Sequence, residues 1–465
     1  MSQEDWPGLP PQVQEIVQEI RHLVEVEDLE PFLEAMGTLT PPEMLLKDMI
    51  EEMAARADSR DSQSSYMDKI TGNLFSKNSL SSIRNAFASK HQTSWKALVV
   101  KLNKADVKKK VNELRKYEKK IREDSSKKRK GVPTLSDYSR WFGRYKCDSL
   151  ELPGQYSTSS KPDPASHRRI SLFQDKVTVL ASLRRPVKIT LLTNDGKKTS
   201  LLVKGGEDLR TDQRVMQLLR VMDSSLRSTL REASLRTYDV IPLTNSLGLI
   251  AWLPNTTTLK SLLFAGPDRE LAEQLRREYS SWVGRFGNYS KMYERCSLDD
   301  VVLQREKLTA RLAPSRLKAV LVQLARCPAS FPRLRDSFVS THVSMCLCHW
   351  VLGIGDRHLN NFLLDTATGE LIGIDFGHVF GTATTLLPVP ELLPFRATPQ
   401  LTGVFAPRGV DAAMRGPMVK ALAAVRHIRS VLFCLLDVFV REPTLDWCKY
   451  SHKHPTKPGR WGGGV

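Results

Sequence analysis

The sequence predicts an α+β chain in three parts: an all-α segment over 1–155, a small antiparallel β lobe over 170–253, and a larger helical lobe over 254–447. Three observations carry this. Apolar residues recur at helical spacing in the first part, alternate with period two between turns in the second, and return to helical spacing in the third. The 465 residues correspond to roughly two to four folding units. With 41% apolar and 26% charged residues the chain is too apolar for a disordered one. No run approaches the ~18–20 apolar residues that span a bilayer. The start, Met-Ser-Gln-Glu-Asp-Trp, lacks the basic-then-apolar layout of a secretory signal. Membrane-spanning and secreted classes are therefore not expected.

In chain order, Val13, Ile16, Val17 and Ile20 mark one helix, and Pro41-Pro42 opens another through Met44, Leu45, Met49 and Ile50. Residues 57–80, rich in Ser, Asp and Asn, read as a linker. A long basic helix is expected over about 95–123, then a short helical stretch over 135–142. Pro153-Gly154 and the Ser/Pro/Lys-rich 157–166 mark a boundary. Next come strand patterns at 176–182, 187–193 and 200–204, with Arg184-Arg185-Pro186 as one turn and Asn194-Asp195-Gly196 as a strong hairpin turn. A helix over about 209–230 is followed by strand-like 237–242 and 247–253. From 258 onward the pattern is helical, apart from a β-rich block at 361–376.

The seven cysteines, from Cys147 to Cys448, make no disulfide framework and indicate a reducing compartment. Cys346-Leu-Cys348-His349 has no second ligand pair and reads as buried thiols rather than a metal site. The formal charge is +18, and residues 101–130 hold fourteen basic and five acidic residues. That stretch reads as the solvated face of a helix. A polyanion-facing surface, or a nuclear import signal at Lys127-Lys128-Arg129-Lys130, are the alternatives.

Three constellations carry chemistry. In Leu202-Val203-Lys204-Gly205-Gly206-Glu207-Asp208-Leu209-Arg210, a lysine at a strand end, with acids one turn into the next helix, suits nucleotide phosphates. Alone, Lys204 would read as a surface lysine. The second is Gly353-Ile354-Gly355-Asp356-Arg357-His358-Leu359-Asn360-Asn361, and the third is Ile372-Gly373-Ile374-Asp375-Phe376-Gly377. Phosphoryl transfer needs oxygen ligands for Mg²⁺ and an acid/base group near the attacking hydroxyl. Asn361 and Asp375 supply the metal ligands, and Asp356 with His358 faces the nucleophile and γ-phosphate. Which of those two takes the hydroxyl proton stays open.

Ordinary protein kinases carry His-Arg-Asp, whereas this chain carries Asp-Arg-His. That inverted order resembles the phosphatidylinositol 3-kinase-related kinases, in particular their DNA-repair branch. The likeness extends through LASLRRP (180–186), LVKGGEDLR (202–210), LGIGDRHLNNF (352–362), IGIDFGH (372–378), LPVPELLPFR (387–396), DVFVREP (437–443) and LELPGQY (150–156). It implies a bilobal PI3K/protein-kinase-like fold, with a catalytic loop at 353–361 and an activation loop at 373–398. It implies catalysis by Asp356, His358 and Lys204, metal ligation by Asn361 and Asp375, and ATP with Mg²⁺ (or Mn²⁺) as cofactors. The implied nucleotide-binding set is Ser182 of the phosphate loop, Leu202, Lys204, the acidic partners Glu207 and Asp212, Tyr238, the hinge residues Trp252 and Leu253, and the pocket floor Leu363 and Ile374.

The substrate follows from charge. Between Phe376 and Phe395 there is no Lys or Arg, and Glu391 is the only charge. A phosphoinositide headgroup needs cations, so a protein substrate is expected rather than a lipid. The resemblance implies Ser/Thr-Gln sites, with Ser62-Gln63 as an internal one. It also implies a nuclear location, double-strand break repair by end joining, and DNA ends and the Ku heterodimer as partners of regions outside this chain. Thr211 departs from the family's Gln, and the tail 448–465 departs from it altogether. The expectation is therefore a truncated chain lacking the C-terminal cap, with an impaired nucleotide-binding scaffold as the alternative to an active kinase.

Overall fold

The computed structural model describes residues 28–55, 60–75, 81–127, 133–156, 163–182, 184–229, 235–264, 268–387, 391 and 393–441. The chain forms two compact units, residues 1–209 with 239–252, and residues 210–238 with 253–465. The helix expected around Val13–Ile20, Lys128–Lys130 and the tail 448–465 lie outside the described residues.

The first unit begins with α1 (Leu29–Thr38), α2 (Pro42–Ala55), α3 (Arg60–Phe75), α4 (Ser82–Leu102) and α5 (Val107–Lys127). Helices α2 to α5 share a core of Leu46, Ile50, Met53, Ile70, Phe75, Trp95, Leu114 and Ile121. The Phe75 and Trp95 rings stack at 4.4 Å and 9°. Two expectations need correction. The 57–80 linker contains α3, because Met67, Ile70, Leu74 and Phe75 are buried and draw a polar stretch into the bundle. The single basic helix is two, α4 and α5, broken at 103–106, where the Asp106 carboxylate accepts from the Lys109 amide at 2.8 Å and starts a new first turn. In α5, Val111, Leu114 and Ile121 are buried while Lys108, Lys109, Lys119 and Lys120 are exposed, which is the amphipathic, solvated arrangement. Ser62 and Gln63 fall in α3, but their side chains lie outside the described residues.

Short helices α6 (Leu135–Tyr138) and α7 (Trp141–Arg144) lead to strands β1 (Ile170–Phe173), β2 (Thr178–Val179), β3 (Val187–Thr193), β4 (Lys198–Gly205), β5 (Val240–Thr244) and β6 (Leu247–Ala251). All pair antiparallel in the order β1-β3-β4-β6-β5, with β2 also on β3. The register sets Lys188 opposite Leu202, Leu202 opposite Ile250, and Lys204 opposite Gly248. Val187, Ile189, Leu191, Leu201, Val203 and Leu249 turn to the other face, into a core with Phe32, Met36, Tyr138 and Phe142.

The second unit contains α8 (Arg210–Thr229), strands β7 (Thr256–Thr258), β8 (Phe362–Asp365) and β9 (Leu371–Gly373), and helices α9 (Leu259–Leu263), α10 (Asp268–Gly284), α11 (Tyr289–Arg295), α12 (Leu298–Thr309), α13 (Arg316–Leu324), α14 (Ser330–Leu352), α15 (Thr382–Leu386), α16 (Pro399–Thr402), α17 (Val410–His427) and α18 (Arg429–Arg441). The three strands form one antiparallel sheet, β7-β8-β9. Helix α14 is buried without interruption from Thr341 to His349. Its Cys346 and Cys348 are buried free thiols, as expected, and burial pushes the Cys346 thiol up to about 12. No group of three or more His, Cys, Asp or Glu suited to a metal ion occurs among the described residues.

Candidate active site

In the first unit, the period of two along β4 places Leu202 and Lys204 on one face, and Ile250 of β6, with Trp252 just beyond its end, adds to it. The Trp252 amide donates to the Ser200 carbonyl at 3.1 Å. The Lys188 ammonium lies over the indole of Trp252, 4.2 Å from its centroid. Gly248 lies opposite Lys204, and a Cβ there would lie 2.7 Å from Leu209 Cδ1 and 3.0 Å from the Ile241 carbonyl, so that position is filled by Leu209. Lys204 Nζ lies 2.9 Å from Glu207 Oε1, an ion pair by distance whose angle falls outside hydrogen-bond geometry. Glu207 Oε2 lies 3.4 Å from Arg184 Nε. Ser182 is exposed, and both its carbonyl and its hydroxyl accept from the Arg185 amide, each at 3.2 Å. The structure therefore gathers Leu202, Lys204, Glu207 and Trp252. Lys188 and Ile250 were missed by sequence reading, although the period-two register through Leu202 points to both.

In the second unit, α14 ends at Gly353, whose φ of 57° closes the helix in the left-handed region. A Cβ there would lie 2.7 Å from the Gly381 nitrogen, so glycine is required. The Phe380 amide donates to the Leu352 carbonyl and the Gly381 amide to the Gly353 carbonyl, both at 2.9 Å. Between these ties run the two motif loops. Asp356 and Asp375 both have positive φ, 56° and 62°, a conformation disfavoured without compensating contacts.

The compensation comes mainly from Arg357, which is 2% exposed. Its Nε donates to the Gly355 carbonyl at 2.7 Å, one Nη to the Ile374 carbonyl at 3.1 Å, and the other to the Asp375 carbonyl. One guanidinium thus bridges the loop of Asp356 and the loop of Asp375. Burial lowers its pKa, while Asp375 and Asp356 oppose the shift. Asn361 Nδ2 donates to the Asp356 carbonyl at 2.9 Å, which leaves Oδ1 as the atom suited to a cation. The Ile374 amide donates to the Asn361 carbonyl at 3.0 Å. The Glu391 carboxylate accepts from the Asp356 amide at 2.6 Å. A Cβ on Gly355 would lie 2.1 Å from the Ala383 Cβ and 3.2 Å from that carboxylate.

Asp212, on α8 and 6% exposed, accepts from the Phe376 amide at 3.0 Å. Tyr238 is buried close to the Asp212 and Asp375 carboxylates. Burial first, then the Asp212 and Asp375 carboxylates, hold the phenol well above its ordinary range, so it stays neutral. Asp375 and His358 are exposed, and Asp356, Leu363 and Ile374 are half-buried. Leu363 pairs with Ile372 across β8 and β9. Leu253 is half-buried, its carbonyl accepting from the Thr256 hydroxyl at 2.9 Å. Arg357 and Glu391 went unassigned from sequence, since main-chain partners leave no residue pattern.

The donor set fits a divalent cation of the Mg²⁺ type. One carboxylate and one amide oxygen leave positions for water and phosphate, which suits Mg²⁺ better than an all-protein cage.

The profile described as phosphatidylinositol 3- and 4-kinase matches residues 198–449. The DNA-dependent protein kinase catalytic subunit of Mus musculus is 41% identical over 350 residues, covering 70% of this chain and 8% of the relative. That of Dictyostelium discoideum is 31% identical, covering 94% of this chain and 11% of the relative. The serine/threonine-protein kinase mTor of Drosophila melanogaster is 30% identical, over 65% of this chain and 12% of the relative. The chain therefore spans about a tenth of the length of these relatives. A solved structure of the complete CtTel1 dimer aligns with a TM-score of 0.57 at 24% identity, covering 83% of this chain and 14% of that one, and shows the fold.

Proposed function

Because this chain belongs to the phosphatidylinositol 3- and 4-kinase family, we propose that it is an ATP-dependent serine/threonine protein kinase domain of the phosphatidylinositol 3-kinase-related class. The observation that carries the reading is the Arg357 bridge, which holds the Asp356 and Asp375 loops together with both aspartates in left-handed backbone. In this reading Lys204, steadied by Glu207, binds the nucleotide phosphates. Trp252, Leu202, Leu253, Leu363 and Ile374 contact the base, and Ser182 faces the phosphates. Asn361 and Asp375 hold the divalent cation, which when bound neutralises phosphate charge. Asp356 and His358 address the acceptor hydroxyl, one as the base that receives its proton and the other as a contact to the γ-phosphoryl oxygens. Asp212 positions the segment that carries Asp375 through the Phe376 amide, with the neutral Tyr238 phenol buried beside it. Catalysis then rests on alignment and charge neutralisation.

A protein acceptor is supported by the cation-free stretch between Phe376 and Phe395. The relatives named DNA-dependent protein kinase catalytic subunit extend the proposal to Ser/Thr-Gln sites, a nuclear location and DNA-end joining with the Ku heterodimer. The domain reading stands with it: a helical segment over 1–155, kinase lobes over 170–253 and 254–447, and a divergent tail over 448–465. The test is ATP-dependent phosphorylation of a Ser-Gln peptide by the purified chain with Mg²⁺, against phosphatidylinositol vesicles and against Asp375→Asn. Peptide phosphorylation lost by about a thousandfold or more in Asp375→Asn is expected. Equal silence of both chains, with nucleotide still bound, would overturn the kinase reading in favour of a nucleotide-binding scaffold.

A further inference from the structure

The turn that joins β2 to β3, residues 180–186, contains no glycine. It is closed by the Leu180 amide on the Pro186 carbonyl at 2.9 Å and by the Arg185 amide on Ser182. Arg185 takes a φ of 52°, which a residue with a Cβ adopts only when its surroundings hold it there. What holds it comes from the helical segment. Arg185 Nη1 lies 3.1 Å from Glu43 Oε1 on α2, and the Glu43 side chain is 3% exposed. A carboxylate buried to that degree needs its cation.

The adjacent arginine meets a second acid of the same helix. Gly206 has a φ of 78°, and a Cβ built there would lie 2.9 Å from Asp48 Oδ2 and 3.1 Å from Arg184 Nη1. The two charged atoms therefore flank one glycine. Both are buried, and neither has a hydrogen-bond partner. Arg184 is also the strongest charge acting on Asp48. Through its Nε the same guanidinium reaches Glu207, the partner of Lys204. Two carboxylates of α2 thus address two consecutive arginines, one fixing the turn and one backing the Glu207–Lys204 pair.

We propose that Glu43 and Asp48 are positioning residues for nucleotide binding, acting through Arg185 and Arg184 to hold a glycine-free phosphate turn that glycines would otherwise shape. This rests on the kinase reading above. Glu43 and Asp48 touch no nucleotide in this scheme. They set the turn containing Ser182 and the carboxylate that steadies Lys204.

The experiment measures direct binding of Mg²⁺-ATP to the full chain by calorimetry, alongside KM and kcat with a Ser-Gln peptide. The variants are Glu43→Gln, Arg185→Gly and Asp48→Asn, with Lys204→Ala as the control for the site. Arg185→Gly is informative because glycine adopts the positive φ without strain, so a loss of binding reports the missing tie to Glu43 rather than a strained backbone. The expected result is about tenfold weaker ATP binding and a matching rise in KM for Glu43→Gln and Arg185→Gly, with kcat within about twofold. The double variant Glu43→Arg with Arg185→Glu should recover part of the loss. If wild type binds ATP and Lys204→Ala does not, while Glu43→Gln and Arg185→Gly bind as tightly as wild type, the proposal is overturned and the kinase reading stands. If wild type binds no ATP, both fall. Should Glu43→Gln fail to fold, Arg185→Gly, whose substitution lies in a half-exposed turn, decides alone.

Discussion

Asp48 shows how a single buried carboxyl sets a pH dependence. Burial, the largest influence, pushes it up to about 6, while Arg184 acts in the opposite sense. A carboxyl raised in the folded state holds its proton more tightly there than in the unfolded chain. Its burial therefore costs nothing below the unfolded value near 3.8 and costs most once pH exceeds about 6. Asp48→Asn is expected to raise the thermal midpoint at about pH 7.5, and the gain should vanish toward about pH 4, as read by calorimetric scans. Such a variant would be more stable yet weaker in ATP binding, a trade typical of sites that bury charge. Arg357 poses the complementary case, since its fork satisfies three carbonyls from two loops. Lysine keeps the charge but not the fork. Arg357→Lys is expected to lose about a hundredfold in kcat on a Ser-Gln peptide while ATP binding changes less than about threefold. Loss of binding and turnover in equal measure would mean that Arg357 merely holds the unit together.

Among the elements, β3 and β4 were legible because strict alternation and Asn194-Asp195-Gly196 specify both strands and their register, which the structure reproduces from Val187↔Val203 to Leu192↔Lys198. Helix α3 was not, because its Ser, Asp and Gln residues mimic a linker and its apolar residues gain meaning only against Phe87 and Trp95. The break between α4 and α5 hid within a lysine-rich stretch, although Asp106 was a readable cap. The bundle's dependence on one stack is testable. Trp95 is fully buried against Phe75, and its indole donates to the Thr71 hydroxyl at 2.9 Å. Trp95→Ala is expected to lower unfolding free energy by about 3–5 kcal/mol in denaturant titration. The motif residues of the site were legible because each lies within a contiguous run. Glu43 with Arg185, 142 positions apart, and Glu391 with Asp356, 35 apart, were not, since nothing local announces such pairs.

For the molecule as a whole, a formal charge of +18 dominates its long-range behaviour. The densest part is α5, where nine basic residues face four acidic ones; Lys116, together with Lys101 of α4, shares its Glu113, and Arg115 pairs with Glu51, while other lysines stay exposed. The chain is expected to be retained on an immobilised polyanion at low salt and released as ionic strength rises past about 0.15 M, where screening acts within about 8 Å. Substituting Lys108, Lys109, Lys119 and Lys120 by Gln should move elution to lower salt without altering the thermal midpoint. No helix among the described residues is long and apolar enough to cross a membrane. In the proposed function each unit carries a share of the chemistry: the first Lys204 with its sheet face, the second the paired loops. In the second, the main-chain ties from Phe380 to Leu352 and from Gly381 to Gly353 stitch the motif loops into a ring whose two ends are fixed against each other. Side chains around that ring can be exchanged one at a time, but its circumference cannot. Adding or removing a residue within 354–361 or 374–380, between these ties and the β8–β9 ladder, would shift the motif positions against one another, so variation there is expected to be confined to substitution.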